Sequence, residues 1–160
     1  MSKEEEKLYP DIDAWLKNYL QDRYKKYKVL TTYKTARQSL DVCLRSLGIN
    51  IDEAIGLSIK IDIVGILQRG DECKLVFVEV KDNPLTLKDL GQLWGYSQLL
   101  NPVESFLISS SGLGALTRIL NVYKREDLLK YGPKHSNLMK VCKWDTKTKS
   151  IDYSTLIPKI

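Results

Sequence analysis

The most constraining feature of the sequence is the segment CKLVFVEVKD, residues 73–82, where charged side chains interrupt a nearly continuous apolar run. A valine-rich run of this length predicts a β-strand that is buried on both faces near the centre of a sheet. Because side chains alternate along a strand, Glu79 and Lys81 project from one face, whereas Val78 and Val80 point into the core from the other. Charged groups are rarely buried unless they are paired or bind a metal, so this strand is expected to carry a functional site.

A preceding strand brings a further carboxylate to the same place. Residues 56–69, GLSIKIDIVGILQR, alternate apolar with polar or small residues and are rich in β-branched side chains, which predicts a strand. Residues 70–72 form the turn. In an antiparallel hairpin about this turn, Asp62 and Glu79 lie at nearly equal separations from Asp71 and therefore side by side.

Two carboxylates and an ammonium group at one position suit metal-assisted hydrolysis of a phosphate ester. Asp62 and Glu79 could hold Mg²⁺, which prefers oxygen ligands, and Mn²⁺ is expected to substitute for it. The metal would lower the pKa of a bound water and polarise the phosphate. Lys81 would orient that water and offset the charge that builds on the phosphate. The residues also leave open a purely structural salt bridge between Glu79 and Lys81.

The remaining patterns predict helices on both sides of a mixed sheet, which is an α/β fold formed by one domain over residues 1–160. Pro10 is expected in the first turn of the first helix or at a break. The serines of 109–111 are expected to cap the last helix. The other predicted elements are a helix over 4–27, a strand over 28–33, a helical turn or irregular segment over 36–46, helices over 85–100 and 115–132, a strand over 104–112, and a final strand or a hairpin turning at 145–149.

The spacing D-x16-E-V-K, followed by a helix, resembles the core of the PD-(D/E)xK nuclease superfamily. Asp62 matches the first acidic position of that motif, Glu79 the second and Lys81 the lysine, while Ile61 stands where the family has proline. The resemblance implies a restriction-endonuclease-like αβββαβ core over roughly residues 5–110, with an extra C-terminal helix and a strand or hairpin. It also implies Mg²⁺-dependent hydrolysis of DNA, by an endonuclease or an exonuclease.

Two further parts of the sequence match this superfamily. Gln92 and Tyr96 share one helix face and resemble the Q-x3-Y element of the RecB-like branch, where the pair lies beside the active site. The alternative is Tyr96 half-buried against the sheet and Gln92 on the surface. A glutamate of the first helix often completes the family's metal site. Glu5 is the candidate because it shares a face with the apolar stripe, and Glu4 and Glu6 are its rivals.

The charge distribution predicts a polyanionic partner. The net charge is +5, and residues 17–45 hold eight basic and two acidic side chains, whereas residues 124–149 hold eight basic and three acidic ones. Two basic zones around a more acidic middle suit nucleic acid lying across the surface. The side chains expected to contact it are Lys25, Lys26, Lys28, Lys34 and Arg37.

Other functions remain open at this stage. The alternatives are a non-catalytic nucleic-acid-binding module, a nuclease subunit that needs a partner, and an interaction protein with an ordinary ion pair. A junction resolvase would be a homodimer, although the amino-terminal pattern of those enzymes is not evident. No apolar run approaches the roughly 20 residues that span a bilayer. The charged start lacks a secretory signal, so no membrane partner and a cytoplasmic location are expected.

Overall fold

A mixed sheet of six strands forms the centre of the fold. The computed structural model describes residues 2–159. Its elements are α1 (Lys3–Arg23), β1 (Lys28–Thr32), α2 (Leu40–Ser46), β2 (Ile63–Arg69), β3 (Glu72–Lys81), α3 (Leu87–Leu100), β4 (Glu104–Ser109), α4 (Ala115–Thr117), β5 (Lys130–Tyr131), β6 (Asn137–Leu138), β7 (Lys140–Asp145) and β8 (Ser150–Ile157), with 3₁₀ turns at Lys34–Ala36, Asp52–Ala54, Glu126–Leu129 and Pro133–His135.

The strand order across the sheet is β1-β2-β3-β4-β7-β8. Strands β1, β2 and β3 are antiparallel neighbours, β3, β4 and β7 run parallel, and β8 returns antiparallel to β7. Strands β5 and β6 form a separate two-stranded ribbon. The predicted α/β class, with a mixed sheet flanked by helices, is confirmed, and so is the final hairpin. No helix within residues 2–159 is long and apolar enough to cross a membrane.

Helix α1 covers one face of the sheet, and helices α2 and α3 contribute to the cluster on the other. Ile12, Leu16 and Leu20 are fully buried and pack against the face that carries Val76 and Val78. Helices thus cover both faces of the sheet, and β3 is buried on both sides, as its near-continuous apolar run predicts.

Aromatic side chains fix α1 near the parallel strands. The ring of Trp15 meets Phe106 edge-on at 5.5 Å between centroids and Trp144 at 6.2 Å. These contacts join α1 to β4 and β7. Edge-to-face aromatic pairs stabilise the structure beyond the effect of burial alone.

Pro10 lies inside α1, so the expected first-turn position or break is wrong. Proline lacks the amide hydrogen that would bond to the carbonyl four residues earlier. The helix nevertheless runs unbroken because its apolar face is buried against the sheet, and packing supplies most helix stability in proteins.

A buried polar network joins the end of α1 to the sheet. Glu104, at the start of β4, is 3% exposed. It accepts hydrogen bonds from the hydroxyls of Tyr19 (2.6 Å) and Tyr24 (2.7 Å) and from Lys140 Nζ (2.9 Å). Arg23 Nε lies 3.3 Å away. These partners hold the pKa of the Glu104 carboxyl below its usual value despite its burial, with Lys140 the largest favourable influence.

Two predicted elements differ from the structure. The strand expected over 56–69 begins only at Ile63. Ile59 and Ile61 are buried in the core without strand partners, so burial of alternate residues produced the strand-like pattern there.

The helix expected over 115–132 is also wrong. One α-helical turn at Ala115–Thr117 leads into a π-helical segment that ends at Val122, and Lys124 then adopts a left-handed backbone (φ 55°). Val122 and Tyr123 are exposed, so no continuous apolar face holds a longer helix against the core.

Candidate metal centre

Asp62 and Glu79 lie side by side at one end of the β2–β3 hairpin. Ile63 pairs with Val78, so Asp62, the residue before β2, falls opposite Glu79 as the sequence predicts. The amide of Val80 donates to Asp62 Oδ2 at 2.8 Å, and the amide of Asp62 donates to Glu79 Oε1 at 3.2 Å. Each carboxylate thus accepts a hydrogen bond from a backbone amide of the other's segment.

Burial makes this pair costly to ionise. The Glu79 side chain is 7% exposed, and burial raises its pKa well above the usual range, with the charge of Asp62 raising it further. Burial also raises the pKa of Asp62, against the lowering effects of the Val80 amide, the Tyr9 hydroxyl and Lys81. Within residues 2–159 no ion pair neutralises either carboxylate, and the salt bridge between Glu79 and Lys81 is not formed.

Helix α1 contributes Tyr9 and Glu5, which are one turn apart. The Tyr9 hydroxyl donates to Asp62 Oδ1 at 3.0 Å, and its pKa is raised by burial and by the neighbouring Asp62 charge. Glu5 is buried, and its pKa is raised by burial and by Asp62, while Lys81 opposes the rise. Sequence reasoning missed Tyr9, although its spacing of four from Glu5 placed both on one helix face.

The two rival glutamates of α1 are engaged elsewhere. Glu6 accepts a hydrogen bond from Arg37 at 2.7 Å, and Glu4 pairs with Lys7 at 3.0 Å on the exposed surface. Glu5 is therefore the glutamate of the first turn whose pKa responds to the charges of Lys81 and Asp62.

The loop after β3 is held against the site by two serines of the 109–111 run. Ser109 Oγ donates to the carbonyl of Asn83 and Ser111 Oγ to that of Asp82, both at 2.5 Å. The expectation that these serines cap α4 is wrong, because Gly114 precedes that helix and provides no side-chain cap. Their hydroxyls bond to the preceding strand's loop instead, since β3 and β4 end at the same edge.

Asp82 is a further acidic residue of this centre. Its Oδ2 accepts a hydrogen bond from Ser2 Oγ at 3.2 Å, and its charge raises the pKa of Glu5. Its Oδ1 is buried and has no hydrogen-bond partner among the described residues. In the sequence, Asp82 directly follows Lys81. Strand alternation assigns neighbouring residues to opposite faces, so sequence reasoning did not include Asp82 in the site.

The donor set fits one divalent cation through two carboxylates. No group of three His, Cys, Asp or Glu side chains within residues 2–159 converges closely enough to hold an ion. Glu5, predicted as a third ligand, therefore does not form a converging group of three with Asp62 and Glu79 in this structure. Mg²⁺ is commonly bound by one or two carboxylates plus water and substrate phosphate. The oxygens of Asp62 and Glu79 keep lone pairs for that purpose beyond their present hydrogen bonds.

Gln92 and Tyr96 lie on α3. Gln92 is exposed, and Tyr96 is half-buried against the core. The hydrogen bonds found at Asp62 and Glu79 come from other residues, so this placement corresponds to the simpler of the two alternatives for the pair.

The five predicted basic contacts fall into two groups. Lys34 and Arg37 follow β1 at the carboxylate end, because Thr32 pairs with Val64. Lys28 pairs with Gln68 near the far end of the sheet. At about 3.3 Å per residue, Lys28 is roughly 20 Å from the carboxylate end. Lys25 and Lys26 precede it in the turn after α1 and are exposed.

Comparison of the chain with protein-family models, curated proteins and solved structures finds no match. The chemistry of this site is therefore assigned from its own geometry. The features that bear on it are a buried and a half-buried carboxylate held by backbone amides, a lysine two residues along the same strand, and a tyrosine hydroxyl on Asp62.

Proposed function

We propose that the protein is a Mg²⁺-dependent nuclease of the PD-(D/E)xK type that hydrolyses phosphodiester bonds, with DNA as its expected substrate. The observation that carries the proposal is the Asp62–Glu79 pair, a half-buried and a buried carboxylate that each accept a hydrogen bond from a backbone amide of the other's segment. Two neighbouring desolvated carboxyls are costly to ionise even though the charge of Lys81 favours their ionised forms, and a bound cation would offset that cost. Lys81 follows on the same strand face.

The residues have distinct roles in this proposal. Asp62 and Glu79 would hold Mg²⁺ or Mn²⁺, which when bound lowers the pKa of water and polarises the phosphate. The partly buried Lys81 has three donors, and it would orient the attacking water and the phosphate oxygens. Tyr9 is a positioning residue, because its hydroxyl fixes the orientation of Asp62. Removing such a partner typically costs about 10- to 100-fold in metal affinity or activity.

The order of elements also supports the proposal. Helix α1, strands β1, β2 and β3, helix α3 and strand β4 follow the αβββαβ sequence that the superfamily resemblance implies, with α2 inserted between β1 and β2. Asp62 lies directly before β2 and Glu79 near the end of β3, consistent with the two-strand spacing of the motif that the chain resembles.

The first experiment measures cleavage of supercoiled plasmid, linear duplex, single strand, a four-way junction and RNA, each with EDTA, Mg²⁺ or Mn²⁺. Asp62→Asn and Glu79→Gln should each lower the metal-dependent rate by roughly 1,000-fold, since metal stabilisation is worth several kcal/mol. Glu4→Gln is the matched control, because Glu4 is exposed and pairs only with Lys7.

Each outcome separates the candidate functions. Cutting by Asp62→Asn at the wild-type rate would contradict the site assignment. Absence of cutting with calorimetric Mg²⁺ binding would favour the partner-dependent subunit, and loss of both would favour the non-catalytic binding module. Sedimentation of the same preparation tests the homodimer that a junction resolvase would need.

A further inference from the structure

A groove beside the metal centre is formed by the turn that follows β1. The groove has a volume of about 470 Å³ and is lined by Glu6 and Tyr9 of α1 and by Tyr33, Lys34, Ala36, Arg37 and Gln38. Tyr9 lies in its wall and also donates to Asp62, so the groove adjoins the carboxylate pair. Its volume falls within the roughly 300–1,000 Å³ of small-molecule sites.

The groove presents an aromatic face. Tyr33 is 43% exposed. Its ring centroid lies 6.1 Å from that of Tyr9, and the two planes are inclined by 49°. The buried ring of Tyr9 packs against the ring of Tyr33, and the rest of the Tyr33 ring is exposed to solvent. Exposed aromatic rings of this kind are platforms on which a nucleic-acid base stacks.

The rim of the groove is cationic. Arg37 donates twice to Glu6 Oε1, at 2.7 and 3.2 Å, which neutralises the one acidic side chain in the lining. Lys34 forms no ion pair within residues 2–159. A lysine and an exposed aromatic ring that line one groove suit a nucleotide, because the phosphate and the base are recognised together.

A larger groove along α1 and β8 does not share these properties. It has a volume of about 720 Å³ and includes Asp11 and Asp22 beside Arg23 and Lys149. Strand β8 is at the opposite edge of the sheet from β1. The lining of this larger groove has mixed charge and lies away from the carboxylates. The larger groove therefore has no comparable preference for a polyanion.

Resting on the nuclease proposal, we propose that the groove around Tyr33 binds one unpaired nucleotide next to the phosphate that is cut. A base in a continuous duplex is stacked and paired, so it enters such a pocket only after extrusion. The enzyme therefore prefers strands whose bases are already free: single strands, overhangs or flaps.

A binding test without metal isolates the groove from catalysis. A single-stranded oligonucleotide carrying one fluorescent adenine analogue, whose emission falls when its base stacks, is titrated in EDTA. Wild type and Tyr33→Phe should quench the probe, whereas Tyr33→Ala should lose the quenching and bind roughly 5- to 100-fold more weakly. Tyr153→Ala is the matched control, since Tyr153 is an exposed tyrosine of β8.

A cleavage test follows with one labelled sequence presented as blunt duplex, overhang and single strand. Wild type should cut the free-strand forms faster, and Tyr33→Ala should lose that preference while the control variant keeps it. Equal quenching by wild type and Tyr33→Ala, or preference for blunt duplex, would overturn the proposal. Neither outcome would contradict the nuclease assignment. Conversely, cutting by Asp62→Asn at the wild-type rate would contradict the nuclease assignment and would leave the quenching result unchanged.

Discussion

At the scale of single residues, burial decides the chemical character of Asp62 and Glu79. Both carboxyls are desolvated, the charge of Asp62 raises the pKa of Glu79 further, and the backbone amides that hold the two groups offset only part of the effect of burial. A divalent cation would relieve the remainder, which makes the binding of protons and the binding of metal competing events at the same oxygens.

The stability of the metal-free protein should therefore fall as pH rises. The folded-state pKa of Glu79 is raised above its ordinary 4.5. Its stabilising contribution is present in full below that value and is lost as pH rises through the folded-state pKa. We expect the melting temperature in EDTA to decline with pH above about 4.5, and Mg²⁺ to restore it at high pH.

Glu79→Gln is the variant that tests this link, because it keeps the size of the side chain and removes the titration. Its melting temperature should vary less with pH and respond less to Mg²⁺, as measured by differential scanning fluorimetry. Identical pH profiles for the wild type and Glu79→Gln would contradict the assignment of the pH dependence to this group.

Sequence alone could predict the residues on the two paired strands. Asp62, Glu79 and Lys81 follow from strand alternation and hairpin register, which depend on local spacing. Tyr9 and Asp82 do not, because a hydrogen bond across 53 residues and a loop held by Ser111 depend on how α1 and β4 pack.

At the scale of elements, Gly65 sets how closely α1 approaches β2. A Cβ atom at this position would lie 2.6 Å from Leu20 Cδ1 and 3.2 Å from Val76 Cβ. The missing side chain lets the helix rest against the strand, and this contact places the first turns of α1, with Glu5 and Tyr9, over the carboxylate pair.

Gly65→Ala should lower the free energy of unfolding by about 1–3 kcal/mol, as overpacking of a core typically does. It should also slow cleavage, because displacement of α1 moves Tyr9 away from Asp62. Urea denaturation and the plasmid assay measure the two effects.

The control for this variant is Gly91→Ala in α3. A Cβ atom there meets nothing within 4 Å, and alanine favours a helix interior over glycine by roughly 1 kcal/mol. Equal stability of the two variants would contradict the close-packing account.

Predictions of elements succeeded where a local pattern and tertiary packing agreed. β3, α3 and the final hairpin have patterns that match their burial. The predictions are wrong for residues 56–62 and 123–132. In the first segment Ile59 and Ile61 fill the core without strand partners, and in the second Tyr123 faces solvent. Neither property is encoded in a window of neighbouring residues.

At the scale of the whole molecule, Glu104 binds the C-terminal end of α1, whereas Glu5 and Tyr9 lie near its N-terminal end. Glu104→Ala should cost about 3–5 kcal/mol of stability, because it leaves Lys140 partly buried without its anion. Asp127→Ala, which removes an exposed pair with Arg125, should have no measurable effect.

The acid limb of the stability profile gives a second readout. Because the folded-state pKa of Glu104 is lowered, its contribution is present above the ordinary value of 4.5 and is lost as pH falls through the folded-state pKa. Glu104→Ala should lack this loss and should leave calorimetric Mg²⁺ affinity unchanged. A large fall in Mg²⁺ affinity would show that the two ends of the sheet are coupled.

Salt dependence tests how a polyanion lies on the molecule. Each phosphate neutralised contributes about 0.7 to 0.9 to the slope of log affinity against log salt concentration. Lys34→Gln and Lys28→Gln should each reduce the slope by about one such unit if the strand runs along β1. Lys74→Gln should leave it unchanged, because Lys74 pairs with Glu72. An unaltered slope for Lys34→Gln would contradict the proposed entry beside Tyr33.

The Trp15–Trp144 contact gives the protein a natural spectroscopic label. Two indoles 6.2 Å apart and inclined by 75° form a coupled pair of chromophores, one on α1 and the other on β7. We expect the part of the near-ultraviolet circular dichroism that arises from their coupling to depend on that geometry and to be lost when the helix separates from the sheet. Because the same helix carries Glu5 and Tyr9, the state of its attachment can be followed in real time without chemical modification of the protein.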